Sequence, residues 1–360
     1  MARPLPGLLA SLLTGLLWSA SASGDAGAPS AELPRKAGFD GARRDGSGRF
    51  LNLVGPLPAA SPLVTLPFFL RRAAAMIAGR AGLPAIFAND GVFLRENAGH
   101  SIPTVTWIGH ATLLVQMDHM TFLTDPIWSE RASPVDFAGP ERLQPPGVAL
   151  DALPPIDFVL ISHNHYDHLD VDTLGELARR YPRARFVVPL ENASTLQDAG
   201  VRDVVELDWG QSVHIGNVEI TCLPTQHWSA RGPFDARVAL WGSYAVVGSE
   251  RRFYFAGDTG YFDGFARVGE SLGPFDLAAV PIGAYLPAEM MQHHHMNPDE
   301  AVRAGLDLRA RRLVPMHYGT FDLSDEPPDE PPRRFRAAAE AAAIAPEQLY
   351  VLGVGETRAF

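Results

Sequence analysis

The sequence predicts an α/β sandwich, and three observations predict it. Short β-type runs alternate with helix-like stretches from about Pro103 to the C-terminus. One of those runs, Phe158–Ser162, is apolar almost without interruption, as expected for a strand buried on both faces. The chain has 360 residues, 46% hydrophobic and 20% charged, enough for one large domain or two small ones with a sizeable core. Strands mixed with helices throughout imply sheets covered by helices.

Taken in order, the first segment reads as an export signal. Arg3 gives a positive start, Leu8–Trp18 is a short apolar run, and Ala20-Ser21-Ala22 offers a small-residue cleavage site. Residues 1–22 are thus expected to be a signal peptide, and the mature protein to work in the bacterial periplasm or cell envelope. Residues 23–49, rich in Gly, Ala, Ser and Pro, are expected to be a flexible leader, with the folded domain spanning 50–360. Leu63 to Arg80 carries Leu66, Phe68, Phe69, Leu70, Met76 and Ile77, with Arg71, Arg72 and Arg80. It reads as an amphipathic helix whose Leu63–Ile77 face either packs on the core, the preferred reading, or meets lipid.

Beyond Pro103, strands are expected at Thr104–Ile108, Leu113–Met117, Thr121–Thr124, Phe158–Ser162, Arg185–Val188, Val218–Leu223, Leu240–Val247, Phe253–Ala256, Leu277–Val280 and Arg312–Pro315. Helices are expected near Asp172–Tyr181, Asn192–Ala199, Pro298–Leu308 and Arg333–Ala343. Asn297 before Pro298 has the form of a helix cap followed by a first-turn proline. Asp325–Pro332 is acidic and proline-rich and reads as an exposed loop. No internal repeat, glycine-rich phosphate loop or GxSxG elbow is present.

Composition removes several classes of function. The formal net charge of -11 disfavours nonspecific binding of nucleic acid, whose phosphates call for basic patches. Lys36 is the only lysine, so Schiff-base chemistry has a single candidate near the N-terminus. Cys222 is the only cysteine, which excludes an internal disulfide and a cysteine-rich zinc site. It lies within the strand-like Val218–Leu223 run, where a small buried hydrophobe is the expected role.

The chemistry concentrates in Leu160-Ile161-Ser162-His163-Asn164-His165-Tyr166-Asp167-His168-Leu169-Asp170. Three histidines and a carboxylate occupy six positions directly after a buried strand. Imidazole nitrogen and carboxylate oxygen are the donors that zinc and similar divalent ions accept. A purely structural role would gather four desolvated polar groups for no return. His227, Asp258 and His317 each follow another strand-like run, the arrangement expected when loops at one sheet edge build a site.

These residues resemble the metallo-β-lactamase superfamily. The chain from about Phe50 onward is similar, within it, to the N-acylphosphatidylethanolamine-hydrolysing phospholipase D family and its bacterial relatives. The matching segments are Thr106-Trp107-Ile108-Gly109-His110-Ala111-Thr112, Leu123-Thr124-Asp125-Pro126, the Ser162–Asp170 block, Gly257-Asp258-Thr259-Gly260, Ile282-Gly283-Ala284-Tyr285 and Met316-His317-Tyr318-Gly319-Thr320. The resemblance implies an αβ/βα four-layer sandwich holding two divalent ions, Zn2+ by expectation. It gives His163, His165 and His227 to one ion, and Asp167, His168 and His317 to the other, with Asp258 bridging both. It also implies that catalysis rests on Asp258, on His295 as a substrate-side donor, and on Asp125 close behind the ligands. His295 belongs to a run of three histidines, His293 to His295, and the two extra residues are a departure from the family pattern. His110 either lines the site or is a turn histidine without a role.

The implied reaction is phosphodiester hydrolysis of the phospholipase D type on N-acylphosphatidylethanolamine-like lipids, through a hydroxide bridging the metals. A lactonase using the same site, of the sugar-phosphate lactonase kind, and a non-catalytic metal-binding protein are the alternatives. Expected partners are a phospholipid or other small phosphodiester or ester substrate and a membrane surface touched peripherally. Nucleic acid is not among them, and a homodimer stays open.

Overall fold

The computed structural model describes residues 33–58, 60–75 and 82–360. The expected signal peptide, the leader up to residue 32 and the Met76–Arg80 part of the expected amphipathic helix lie outside the described residues.

Two sheets face each other. The first contains β1 (Thr104–Gly109), β2 (Thr112–Met117), β3 (Met120–Thr124), β4 (Phe158–Leu160), β5 (Arg185–Pro189) and β6 (Val204–Leu207). The second contains β7 (Ser212–Ile215), β8 (Val218–Leu223), β9 (Ser243–Val247), β10 (Arg252–Phe255), β11 (Leu277–Pro281) and β12 (Leu313–Met316). A last strand, β13 (Thr357–Ala359), returns to pair with β1, giving the orders β13-β1-β2-β3-β4-β5-β6 and β12-β11-β10-β9-β8-β7. The helices are α1 (Pro62–Ala75), α2 (Val92–His100), α3 (Val171–Arg180), α4 (Ala193–Asp198), α5 (Gly264–Ser271), α6 (Ala288–Met291), α7 (Pro298–Asp307) and α8 (Glu330–Ala341).

Side-chain alternation explains the layers. Along β2, Leu113, Val115 and Met117 enter the core between the sheets, while Leu114 faces the opposite way. The Phe158–Ile161 run does the same: Phe158 and Leu160 face the inter-sheet core, and Val159 and Ile161 face a second core. That second core is closed by Leu94 of α2, Leu174 and Leu177 of α3 and Leu196 of α4. On the far side, Phe265 and Val268 of α5, Ala301 and Val302 of α7 and Phe335 of α8 pack with the second sheet. The order is helices, sheet, sheet, helices, as the four-layer expectation requires.

The structure departs from the sequence reading at residues 33–49. That segment was expected to be a loose leader, yet Phe39 is buried in the large hydrophobic core, as is Phe50 at the start of the expected domain. Arg35 forms a β-bridge with Gln211, and Lys36 pairs with Glu219 at 2.6 Å. The buried Phe39 and these pairings outweigh the Gly, Ser and Pro content from which the leader was inferred.

The preferred reading of α1 also holds only in part. Phe68 is buried, and Arg71 and Arg72 clamp the helix to Asp325, to Asp322 and to the Ser324 carbonyl. Leu63, Leu66, Phe69 and Leu70 are exposed, between 60% and 86%. No helix among the described residues is long and apolar enough to cross a membrane.

Strand direction then positions the site. β3 and β4 run parallel, and β1 shares their direction through the antiparallel β2. In the second sheet β10, β11 and β12 run parallel, and β8 shares their direction through the antiparallel β9. His110, Asp125, the His163–His168 loop, His227, Asp258 and His317 all follow the C-terminal ends of these strands. Pro315 is tolerated inside β12 because β12 is an edge strand.

Candidate metal centre

After β4 the chain turns back on itself, with the amides of His168 and Leu169 donating to the His165 carbonyl at 3.1 and 2.9 Å. That turn gathers the side chains of the loop into one space. Nε2 of His163 and Nε2 of His227 lie 2.9 and 3.3 Å from Nδ1 of His165. These three imidazoles form one cluster able to hold an ion. Asp167, His168, His317 and His110 form another. In it, Oδ2 of Asp167 is 3.3 Å from Nε2 of His168 and 3.4 Å from Nε2 of His317.

Asp258 lies between the clusters. Its Oδ2 is 3.2 Å from Nε2 of His168, 3.1 Å from Nε2 of His317 and 3.9 Å from Nε2 of His227. Nδ1 of His295 is 3.6 Å from the same oxygen. Gly257 makes this approach possible. Its φ is +58°, and a Cβ there would meet the Cβ of Ser162 at 2.5 Å. The Gly-Asp-Thr-Gly sequence is therefore the form a chain takes to set a carboxylate beside the loop.

The donor set fits divalent ions. Nε2 of His168 and of His317, Nδ1 of His295 and Oδ1 of Asp258 are buried without a hydrogen bond. So many desolvated polar atoms facing one space are costly unless a cation takes them up. The outer nitrogens of three ligands, by contrast, are bonded. Nδ1 of His168 meets Oδ2 of Asp125 at 2.6 Å, Nδ1 of His227 meets the His294 carbonyl at 2.9 Å, and Nδ1 of His163 meets Ser162 Oγ at 2.9 Å. Bonding at Nδ1 leaves Nε2 free toward the interior, as in metal-ligating histidines.

Electrostatics agree with this for the first set. Burial holds His163 and His227 well below the usual imidazole range and His165 at about 4, so all three are neutral donors. For His168 and His317 burial acts in the same direction. The carboxylates Asp258 and Asp167, with Asp125 for His168, overcome it and raise His317 to about 9 and His168 well above the usual value. Asp258 and Asp167 stay well below the carboxylate range: burial would raise them, but His168 and its neighbours outweigh it. The centre thus keeps two buried carboxylates charged and balances them with positive charge.

All seven expected ligands meet here. Asp125, expected behind them, has its Oδ1 on the Ser162 amide at 2.7 Å and its Oδ2 shared between Ser162 Oγ and His168. Of the histidine run, His295 faces Asp258, His294 contributes its carbonyl to His227, and the His293 carbonyl accepts from Gln226 Nε2 at 3.1 Å. Residues that sequence reasoning did not assign complete the surroundings. Trp228 packs edge-on against His165 with ring centroids 4.6 Å apart and is 36% exposed. Asn52 brackets the His227 backbone: its Oδ1 accepts the His227 amide at 3.1 Å, and its Nδ2 donates to the His227 carbonyl at 2.9 Å. Nothing in the sequence around Asn52 signals this. Ser162 was part of the quoted motif, but its hydroxyl bridge from Asp125 to His163 needs the fold to be seen.

The profile of the β-lactamase superfamily domain matches residues 120–318. An N-acyl-phosphatidylethanolamine-hydrolyzing phospholipase D from Caenorhabditis elegans is 46% identical over 228 residues, which cover 61% of this chain and 64% of that protein. A protein named as a metal-dependent hydrolase from Hyperthermus butylicus is 32% identical over 254 residues, 68% of this chain and 98% of its own length. Among solved structures, a metallo hydrolase from Ignicoccus hospitalis superposes with a TM-score of 0.55 at 26% identity, covering 72% of this chain and 98% of its own. The chain belongs to the β-lactamase superfamily and has the metallo-β-lactamase fold that these hydrolase relatives share.

Proposed function

We propose that the protein is a metal-dependent hydrolase with a dinuclear centre, and that it cleaves phosphodiesters of the N-acylphosphatidylethanolamine type. One observation carries the reading: Oδ2 of Asp258 lies within 3.9 Å of Nε2 atoms from both histidine clusters. His163, His165 and His227 would hold one ion, Asp167, His168 and His317 the other, with Asp258 shared. Zinc suits this all-imidazole and carboxylate donor set. Bound divalent ions supply an activated water near neutral pH and offset charge developing on the substrate's oxygens.

The remaining work falls to side chains. Asp258 stays ionised and joins the two sets. His295, kept neutral by burial with a pKa of about 3, presents an N–H donor to a substrate oxygen. Asp125 fixes the ring of His168 from behind. Water adds to phosphorus, and the bond to the ethanolamine oxygen breaks, giving an N-acylethanolamine and a phosphatidate. The choice of lipid rests on the 46% identity to the worm phospholipase D. The exposed Leu63, Leu66, Phe69 and Leu70 support a peripheral contact with a membrane surface.

The test is a hydrolysis screen of zinc-loaded protein against N-acyl phospholipids, lactones and β-lactams, with and without chelator. Chelator-sensitive release of N-acylethanolamine is expected. Turnover of lactones alone would replace the phosphodiesterase reading with the lactonase one, and no turnover of any substrate would leave a metal-binding protein.

A further inference from the structure

His110 is not among the seven ligands, yet it touches the second set from two sides. Its Nε2 lies 2.8 Å from Oδ2 of Asp167, and its ring is 1% exposed. The same ring lies against His317, with centroids 4.1 Å apart, and edge-on to Phe321 at 5.2 Å. Its backbone is locked as well. The His110 carbonyl accepts the His317 amide at 3.0 Å and the Trp107 indole N–H at 2.9 Å, and its amide donates to Thr320 Oγ1 at 2.6 Å.

His110 adopts φ 54°, the left-handed region that few non-glycine residues occupy. A backbone of that kind persists only where its surroundings over-determine it, and such positions concentrate at functional sites. A turn needing only that backbone would be better served by glycine or asparagine. Histidine adds a ring long enough to reach Asp167, at the cost of a second nitrogen, Nδ1, buried without a partner.

We propose that His110 is a positioning residue for the second ion. Its Nε2–H donates to Asp167 and fixes the carboxylate, while its backbone and ring hold His317 in register, so one residue sets two ligands of the same set. This rests on the dinuclear reading above. The first set has no contact with His110 of this kind: the rings of His163 and His227 are held by Ser162 Oγ and the His294 carbonyl, and Asn52 brackets the His227 backbone.

The experiment titrates Zn2+ into metal-stripped protein against a chromogenic chelator and records the thermal midpoint of each metal-free variant. His110→Asn tolerates the left-handed backbone but falls short of Asp167. His110→Phe keeps the ring against His317 but has no nitrogen. Both should bind the first equivalent as wild type does and the second ~10- to 100-fold more weakly, the range for removing a group that supports a metal ligand. His110→Gln, whose amide can still donate, should recover most of the second affinity. Thr320→Val releases the turn without touching the imidazole, and should lower the thermal midpoint with both affinities kept. His110→Asn or His110→Phe binding two equivalents with wild-type affinities would overturn the proposal. So would equal loss of both equivalents in the His110 and Thr320 variants, which would mark a structural turn. Wild-type protein taking up only one equivalent would instead sink the dinuclear reading, and this inference with it.

Discussion

Oδ2 of Asp125 lies 2.6 Å from Nδ1 of His168 and 2.6 Å from Oγ of Ser162, whose hydroxyl in turn meets Nδ1 of His163 at 2.9 Å. One fully buried carboxylate therefore orients a ligand of each set. Asp125→Asn should weaken zinc binding and lower turnover ~10- to 100-fold together, as expected when a carboxylate behind a metal-bound imidazole is lost. Ser162→Ala cuts only the branch to His163 and should weaken one equivalent while sparing the other. Zinc titration of the two variants checks this, and an Asp125→Asn protein with wild-type affinities would contradict it.

The histidine run should give a graded series. His295 faces Asp258, so His295→Ala should keep both metals and lose roughly 10²- to 10³-fold in turnover, the range for one oxyanion-stabilising donor. His294 contributes its backbone carbonyl to His227, a contact that alanine retains. His294→Ala and His293→Ala should therefore stay near wild type. Steady-state kinetics on a phosphodiester decide the order, and a severe His294 variant beside a silent His295 one would shift the assignment by one residue.

Asn52 ties the N-terminal segment to the metal centre. Asn52→Ala leaves the amide and carbonyl of His227 without partners, at a cost of about 1–3 kcal/mol for each buried group. Denaturant unfolding should show the loss, and zinc should partly restore the variant. A variant as stable as wild type would mean that water replaces the amide at no cost.

Cys222 should be chemically silent. It is fully buried, and burial pushes its thiol far above the usual range, so no thiolate forms near neutral pH. Native protein should not react with a thiol reagent at pH 8, whereas unfolded protein should release one equivalent. Rapid labelling of the native chain would reopen a cysteine nucleophile.

Metal removal should be reversible. The stripped protein should lose hydrolysis and regain it with Zn2+. Its stability should rise by about 2.7 kcal/mol for each ion bound at a free zinc concentration of 100 Kd. Thermal unfolding across a zinc series measures this, and a midpoint indifferent to zinc would argue against a resident ion.

Much of the architecture was legible in the sequence because burial on both faces leaves continuous apolar runs such as Phe158–Ile161. The Asn297 cap of α7 was equally legible, and its side chain accepts the amides of Asp299 and Glu300 as the sequence suggested. The elements that escaped carry weak local signals. β13 is a polar three-residue edge strand that pairs, among the described residues, with β1 alone, over 240 residues earlier in the chain. α5 opens on Gly264 and contains Gly269, which lowers helix propensity, although Gly269 packs so closely on α7 that a Cβ would meet the Asp307 carbonyl at 2.1 Å. The ligands could be read because each follows a strand end in a dense motif. Asn52, Trp228 and the reach of His110 to Asp167 could not, since each depends on contacts between segments far apart in the chain.

The central claim is that Asp258 joins two ion sites into one hydrolytic centre. The most direct measurement is the turnover of zinc-loaded Asp258→Asn on a phosphodiester, taken with its metal content. The amide keeps the shape but loses the charge facing His168, His317 and His295. Turnover should fall by roughly 10³-fold or more, beyond the loss of a single donor, with fewer than two equivalents of zinc retained and the fold intact. A variant that keeps two equivalents and wild-type turnover would contradict the account.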